Sequence, residues 1–182
     1  MTIAHAILAA LVDSACSGYD LSKKFAGSVG FFWHATQQQI YRELSKLEEQ
    51  GYIIAEIVRQ EGRPDKKVFS VTETGKDYLR KWILEPSEVS PMKDELLVKL
   101  FAASVVPKNK IIKELENHRA QHKDILKTYL AIEGKYFVDP QSLSLAEKYR
   151  YLTLQQGIRY ETEWLKWCED TIKFLREDNS EA

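Results

Sequence analysis

Apolar residues near the start of the chain recur with the period of an α-helix. They lie three or four positions apart: Ala4, Ile7, Leu8 and Leu11. Further along, Ser17-Gly18-Tyr19-Asp20 and Thr36-Gln37-Gln38-Gln39 each place a hydroxyl three residues before a polar side chain, as in the capping box at a helix start. The pattern therefore predicts three helices, of which the second reaches about residue 26 and the third ends at Gly51.

The pattern changes after the third predicted helix. Residues 52–58 and 68–71 are rich in β-branched and aromatic side chains, and the polar stretch 60–67 separates them. This arrangement predicts a two-stranded hairpin with a partly basic tip. A further helix is expected from about Glu73, and its apolar side is formed by Tyr78, Leu79, Trp82 and Ile83. Three helices, a hairpin and a helix follow one another in this way in a winged helix-turn-helix.

Two prolines and two serines interrupt the helical pattern between residues 85 and 91. A domain boundary is expected there, and beyond it almost every segment has helical periodicity. We therefore predict a mainly α fold. An N-terminal winged helix-turn-helix with a two-stranded wing is expected in residues 1–85, and an all-helical dimerisation domain that could also hold an effector in residues 91–179.

Composition narrows the classes of protein. The 182 residues are 44% hydrophobic and carry 26 basic against 27 acidic side chains, so any signal for nucleic acid must be local. The apolar stretch 1–12 has no basic residue before it and Asp13 directly after it, which is not typical of a secretion signal. No apolar run reaches the roughly 20 residues that span a bilayer, and Cys16 and Cys168 are isolated. A cytoplasmic protein without a membrane partner is expected.

The third predicted helix separates two kinds of side chain. Ile40, Leu44 and Leu47 fall on one side of a helical wheel and are expected in the core. The opposite side carries groups that bond base edges or phosphates, namely Gln38, Tyr41, Arg42, Ser45 and Lys46. We expect Gln38 and Arg42 to read bases, since glutamine and arginine pair bidentately with adenine and guanine.

Polar side chains on one side of a helix can bind DNA or can simply face solvent. The charges on the neighbouring elements decide between these two interpretations. Lys23 and Lys24 lie on the second helix, and the hairpin tip contributes Arg63, Lys66 and Lys67. Separate cationic groups that flank one exposed helix are what phosphate contacts require. The predicted DNA-binding residues are Lys23, Lys24, Thr36, Gln37, Gln38, Tyr41, Arg42, Ser45, Lys46, Arg63, Lys66 and Lys67.

Several stretches resemble the PadR family of bacterial regulators, in the subfamily with a long helical C-terminal domain. They are Ser17-Gly18-Tyr19-Asp20-Leu21, Gln39-Ile40-Tyr41-Arg42-Glu43-Leu44 with Leu47-Glu48, Gly51-Tyr52-Ile53, Val68-Phe69-Ser70-Val71-Thr72-Glu73-Thr74-Gly75 and Lys93-Asp94-Glu95-Leu96-Leu97-Val98-Lys99-Leu100-Phe101. The resemblance implies that Tyr41 and its neighbours enter the major groove, and that the hairpin tip lies along the DNA backbone or the minor groove. Pro64 and Asp65 depart from the purely basic tip that would bind phosphate best.

The last predicted helix begins near Leu145 and is apolar on two sides. One seam keeps spacings of three, four or seven and consists of Leu154, Ile158, Leu165, Cys168, Ile172 and Leu175. A second stripe includes Trp164 and Trp167. A palindromic operator requires two recognition helices about 34 Å apart, and the resemblance also implies a dimer, so we expect these residues at a homodimer interface. The alternative is a helix buried inside a monomeric bundle.

The sequence contains no motif that predicts a catalytic site or a complete metal site. There is no glycine-rich phosphate loop, nucleophile elbow or Ser/His/Asp grouping, so we expect no enzyme, catalytic residue or cofactor. His118 and His122 have the spacing of metal ligands, but zinc would need two more. We therefore expect no metal, and histidines that are partly buried at an interface.

An aromatic run between the second and third helices is a candidate effector site. It consists of Phe32, Trp33 and His34, with Asp94 as a polar partner, although the same rings could instead anchor the two domains to each other. The resemblance implies that some relatives are repressors released by phenolic acids. We expect a dimeric repressor of transcription that binds double-stranded DNA and is released by a small aromatic ligand such as a phenolic acid. The alternative is a winged-helix protein-interaction adaptor without DNA binding.

Overall fold

The computed structural model describes residues 2–27, 35–60, 62, 65–89 and 93–178. Its internal contacts divide the chain into two compact units, Met1–Ser90 and Pro91–Ala182. Each unit has its own cluster of buried apolar side chains, and each is described by itself.

The first unit combines helices with a small antiparallel sheet. Its elements within the described residues are α1 (Ile3–Asp13), β1 (Cys16–Ser17), α2 (Gly18–Gly27), α3 (Gln37–Glu49), β2 (Ile53–Val58), β3 (Lys66–Val71) and α4 (Glu73–Leu84). This confirms the predicted fold class, in which a winged helix-turn-helix precedes a helical second half.

Hydroxyl side chains cap α2 and α3 as the sequence predicts. Ser17 Oγ accepts a hydrogen bond from Asp20 N at 3.2 Å and donates one to Asp20 Oδ2 at 2.8 Å. Thr36 Oγ1 accepts from Gln39 N at 3.2 Å, and Gln39 Oε1 accepts from Thr36 N at 2.9 Å. After α3, Gly51 has a φ of 72°, a left-handed conformation that favours glycine. Both ends of α3 are therefore fixed locally.

The sheet has one strand more than the predicted hairpin. Its order is β1, β3, β2, with Cys16 opposite Phe69 and Ser17 opposite Val68. Two residues are too few to show an alternating pattern, so β1 could not be predicted from periodicity.

The wing lysines lie in a strand rather than in the tip where they were expected. Lys66 and Lys67 begin β3 and pair with Val58 and Ile57 of β2. The prediction placed the strand start at Val68 because it treated polar residues as loop residues. A strand with one solvated face accommodates long charged side chains without loss of its backbone hydrogen bonds.

The core of the first unit receives the apolar side of α3. Ile40, Leu44 and Leu47 are at most 1% exposed, and they pack in one cluster with Ile7 and Leu8 of α1 and other residues of this unit. Burial of side chains of this size contributes about 2 kcal/mol each. This burial sets the rotation of α3 and leaves its polar side in solvent.

The second unit is helical. Its elements within the described residues are α5 (Glu95–Phe101), a short 3₁₀ turn (Ala103–Val105), α6 (Lys108–Tyr136) and α7 (Leu145–Glu177). Helices α6 and α7 run antiparallel, since Arg176 bonds Glu116 at 2.6 Å near one end of the pair and Gln155 bonds Glu133 at 2.6 Å near the other. Its buried cluster consists of Leu96, Leu115 and Ile172.

None of the helices in the described ranges combines the length and the apolarity needed to cross a lipid bilayer.

Candidate nucleic-acid interface

The solvent side of α3 presents a continuous row of polar side chains. The exposed residues at the start of this helix and along it are Thr36, Gln37, Gln38, Tyr41, Arg42, Ser45 and Lys46. All seven belong to the predicted DNA-binding set. Among the residues that the structure describes, this row stays open to solvent while the opposite side of α3 is buried.

Tyr41 also makes a close contact with the start of α2. A Cβ atom built on Gly18 would lie 2.7 Å from Tyr41 Cε1 and 2.9 Å from Tyr41 Cζ. The phenol ring therefore rests against the bare Cα of Gly18, while 43% of the Tyr41 residue stays exposed.

Two ion pairs bind the wing to the helices. Lys66 Nζ lies 2.7 Å from Asp20 Oδ2 of α2, and Lys67 Nζ lies 2.8 Å from Glu48 Oε2 of α3. The hydrogen bond from Lys66, with that from Ser17, holds the pKa of Asp20 below its usual range. These pairs place two predicted phosphate-binding ammonium groups beside the helix-turn-helix, and each faces a carboxylate.

Three further lysines of the predicted set lie on the helices. Lys23 Nζ is 4.5 Å from the centre of the Tyr19 ring, and Lys24 Nζ donates to Ser14 Oγ at 2.6 Å. Lys46 Nζ lies 3.6 Å from Glu43 Oε2 on its own helix. All three are at or near the surface, where such contacts are weak enough to exchange for phosphate oxygens.

A surface cleft of about 320 Å³ lies where α2, α3 and β3 meet. Gly18, Tyr41, Ser45, Lys66 and Lys67 are among the residues that line it. The structure thus brings together predicted contacts from α3 and the wing in one concave surface. Lys23 and Lys24 are not part of this lining.

Some predicted residues lie outside the described part of the chain. They are Phe32, Trp33 and His34 of the candidate effector site and Arg63 of the wing. Asp94, the fourth effector candidate, caps α5: its Oδ1 accepts from Leu97 N at 3.1 Å. That bond gives Asp94 a structural role at the start of this helix.

The predicted dimer residues of α7 divide into two groups. Cys168 and Ile172 are 0% and 3% exposed within the single chain, so they leave almost no area for a partner. The others keep part of their surface open: Leu154, Ile158, Trp164, Leu165, Trp167 and Leu175. The interface prediction did not include several other large apolar side chains of this unit that are more than half exposed, namely Val98, Phe101, Val105, Val138, Leu145 and Leu152.

The two spaced histidines contact acids and aromatic rings. His122 Nδ1 lies 2.5 Å from Oε2 of the buried Glu161, and its ring stacks on Trp164 at 5.0 Å. His118 Nε2 is 3.8 Å from Glu114 Oε1. Burial, with the nearby Glu161 carboxylate, raises the pKa of Tyr129 to about 12. Within the described ranges, no three metal-ligating side chains converge.

Comparison with known proteins gives matches over both halves of the chain. Residues 7–81 match the model of the transcriptional regulator PadR-like family, and residues 92–176 match the virulence activator alpha C-terminal model. A probable transcriptional regulator of Mycobacterium tuberculosis is 36% identical, over 97% of this chain and 99% of its own.

Solved structures are similar over nearly the whole length. The structure of Bacillus subtilis PadR in complex with operator DNA has a TM-score of 0.82 at 27% identity, over 95% of this chain and 98% of that one. The Vibrio cholerae virulence activator AphA has a TM-score of 0.77 at 30% identity, over 96% of this chain and 98% of that one. A further structure of the Bacillus protein contains p-coumaric acid, with a TM-score of 0.75 at 25% identity, over 96% of this chain and 99% of that one.

Proposed function

Since the chain belongs to the PadR-like family of transcriptional regulators, we propose that it binds a palindromic operator as a homodimer and represses transcription from it. It is a DNA-binding regulator and not an enzyme. The observation that carries the proposal is the polar side of α3, which stays exposed because Ile40, Leu44 and Leu47 anchor the other side in the core.

The role of α3 is tested by substitution of its two exposed cations, Arg42 and Lys46. Arg42→Ala combined with Lys46→Ala should weaken binding to the duplex that the protein protects upstream of its own gene by at least about tenfold and make the salt dependence shallower. Lys127→Ala, on an exposed position of α6, is the matched control and should bind like the unchanged protein. If the double variant keeps full affinity, α3 does not read DNA and a protein-interaction adaptor becomes the better function.

The direction of regulation, repression rather than activation, is a separate part of the proposal. The Bacillus relative is a negative regulator, whereas AphA is a virulence activator. Expression of a reporter gene from a promoter that contains the protected duplex should therefore be measured in strains with and without the protein. We expect lower expression when the protein is present, and higher expression would assign it to activators.

The homodimer is supported by the apolar surface that α7 leaves open. Trp164, Trp167 and Tyr160 line a groove of about 410 Å³ with Leu97 of α5, and monomers rarely expose large apolar patches. Leu165→Glu and Phe174→Glu should shift the protein toward monomers in analytical ultracentrifugation. Lys173→Glu, a larger charge change at an exposed polar position, should leave the dimer intact. A wild-type protein that sediments as a monomer at micromolar concentration would contradict the proposal.

We further propose that a small aromatic acid releases the operator. The support is the Bacillus relative, which has been solved with p-coumaric acid, together with the aromatic run at residues 31–34. Calorimetry with p-coumarate should give binding heat, and the same concentration should release DNA in a gel shift. Trp33→Ala should lose both effects, whereas Trp82→Phe should keep them. Absence of heat with hydroxycinnamates would remove the effector from the proposal. We also propose that the regulator acts in the cytoplasm, together with its operator DNA.

A further inference from the structure

The contact between Tyr41 and Gly18 is closer than any side chain at position 18 would allow. A Cβ atom there would lie 2.7 Å from Cε1, 2.9 Å from Cζ and 3.2 Å from the hydroxyl oxygen of Tyr41. Real Cβ atoms essentially never come within 3.0 Å of another heavy atom. Glycine at position 18 is therefore what allows the phenol to approach the start of α2 this closely.

The backbone does not need glycine at this position. Among the described residues, positive φ angles are confined to Gly51 and Gly62, so Gly18 has a conformation that any residue adopts. Alanine is also preferred over glycine within helices. The requirement at position 18 is one of space for the Tyr41 ring.

The start of α2 is a fixed support for that ring. Ser22 Oγ donates to Gly18 O at 2.9 Å, and Ser17 caps the helix through Asp20. Asp20 is in turn bound to Lys66 of β3 at 2.7 Å. The position of Tyr41 is thus set relative to both α2 and the wing, which together line the surface cleft.

We propose that Gly18 is a positioning residue for DNA recognition and acts through Tyr41. A residue with a side chain at position 18 turns the phenol away from α2 by rotation about its χ1 angle, because a ring on an exposed helix face moves more easily than the backbone. The fold then survives, while the hydroxyl no longer points where the duplex meets it. This inference rests on the proposed function, since it assigns Tyr41 to the DNA interface.

A double-mutant cycle tests the coupling between the two residues. Gly18→Ala, Tyr41→Ala and the double variant are titrated with the duplex protected upstream of the gene. We expect each single variant to bind about tenfold more weakly than the unchanged protein, and the double variant to bind no more weakly than Tyr41→Ala alone. In urea, Gly18→Ala should unfold at the same or a higher concentration than the unchanged protein, which a purely structural role for Gly18 would not produce.

Gly134→Ala is the matched control, because a Cβ atom at that position of α6 meets nothing within 4 Å. It should leave DNA binding unchanged. The inference is overturned if Gly18→Ala binds normally, if its effect adds fully to that of Tyr41→Ala, or if Gly18→Ala unfolds the protein.

A nuclear Overhauser effect between the Tyr41 ring protons and Gly18 Hα tests the contact without DNA. We expect it in the unchanged protein and expect the ring signals to shift in Gly18→Ala; absence of the effect refutes the positioning role. If the unchanged protein bound no duplex more tightly than random sequence, the proposed function would fail, and the spectrum would still decide whether Gly18 holds the ring.

Discussion

At the scale of single residues, the lysines of the wing are bound to carboxylates of the helices. Lys67 bonds Glu48 and Lys66 bonds Asp20. A phosphate that approaches either ammonium group must displace a carboxylate that is already there. Surface pairs are individually weak, so under the proposed function we expect these two to adjust DNA affinity rather than prevent binding.

Glu48→Gln should therefore strengthen DNA binding. It removes the competing charge at Lys67, and we expect a two- to fivefold gain in affinity, about the worth of one exposed ion pair, with a steeper salt dependence. Fluorescence anisotropy at several salt concentrations measures both. Glu49→Gln makes the same change of charge one residue away and should give a smaller gain. Equal gains would show that overall charge, and not the pair, is responsible.

His5 gives the first unit a dependence on pH. Its ring is buried and stacks on Tyr78 and Trp82 at 5.1 and 4.4 Å, and burial lowers the pKa of His5 from 6.5. The unfolded chain therefore binds this proton more readily than the folded one. The free energy of unfolding should be fully retained above pH 6.5 and should decrease as the pH falls through 6.5 toward the folded value.

Urea unfolding between pH 7.5 and pH 5 measures the slope of the free energy of unfolding against pH. His5→Gln should flatten it, whereas His118→Gln leaves the buried ring in place and should preserve it. An unchanged slope in His5→Gln would place the pH dependence elsewhere.

The residue scale also shows what the sequence could not predict. The polar row of α3 followed from helical period alone, since Ile40, Leu44 and Leu47 fix which side is buried. The partners of Lys66 and Lys67 are far away in the sequence, and only the fold brings Asp20 and Glu48 to them. Gly18 was visible only as part of a capping box, and nothing in a linear pattern links it to Tyr41.

At the scale of elements, a buried polar pair joins α6 to α7. Glu161 is 5% exposed and bonds His122, which stacks on Trp164. On the same pair of helices, Gly157 lies so close to Tyr129 that a Cβ atom would come within 2.8 Å of the ring. These contacts fix how far one helix is shifted along the other.

Glu161→Ala should destabilise the second unit by about 3 kcal/mol, because it leaves the His122 ring without its buried acceptor. Glu163→Ala, at an exposed position of the same helix, should change the free energy of unfolding by less than about 0.5 kcal/mol. Guanidinium denaturation measures both. Similar small effects in the two variants would mean that the buried pair contributes little.

The helices were predicted better than the strands. Both capping boxes form, and α7 begins at Leu145 as the sequence indicates. The seam of α7 was read as a partner contact, yet Cys168 and Ile172 are buried within the chain. A hydrophobic period gives the side that is buried but not which chain buries it.

At the scale of the whole molecule, the proposed homodimer would impose a fixed spacing on the two half-sites of its operator. Insertion of five base pairs between the half-sites would turn one of them to the other side of the duplex, since B-DNA repeats about every 10.5 base pairs. We expect the affinity of the dimer to fall by at least about a hundredfold and that of a monomeric variant to stay the same. Titration of both duplexes checks this, and equal affinities would contradict two-fold reading.

The two-residue strand β1 has a consequence for engineering. Cys16 and Ser17 pair with β3, and Ser17 also caps α2, so one short segment holds the wing and the helix-turn-helix together. If the wing of one relative replaced that of another, its β3 would no longer pair with the β1 of its own protein. Residues 16–20 should therefore be transferred together with the wing. Chimeras that respect this joint should keep the donor's DNA preference, whereas those cut between Ser17 and β3 should express as misassembled protein.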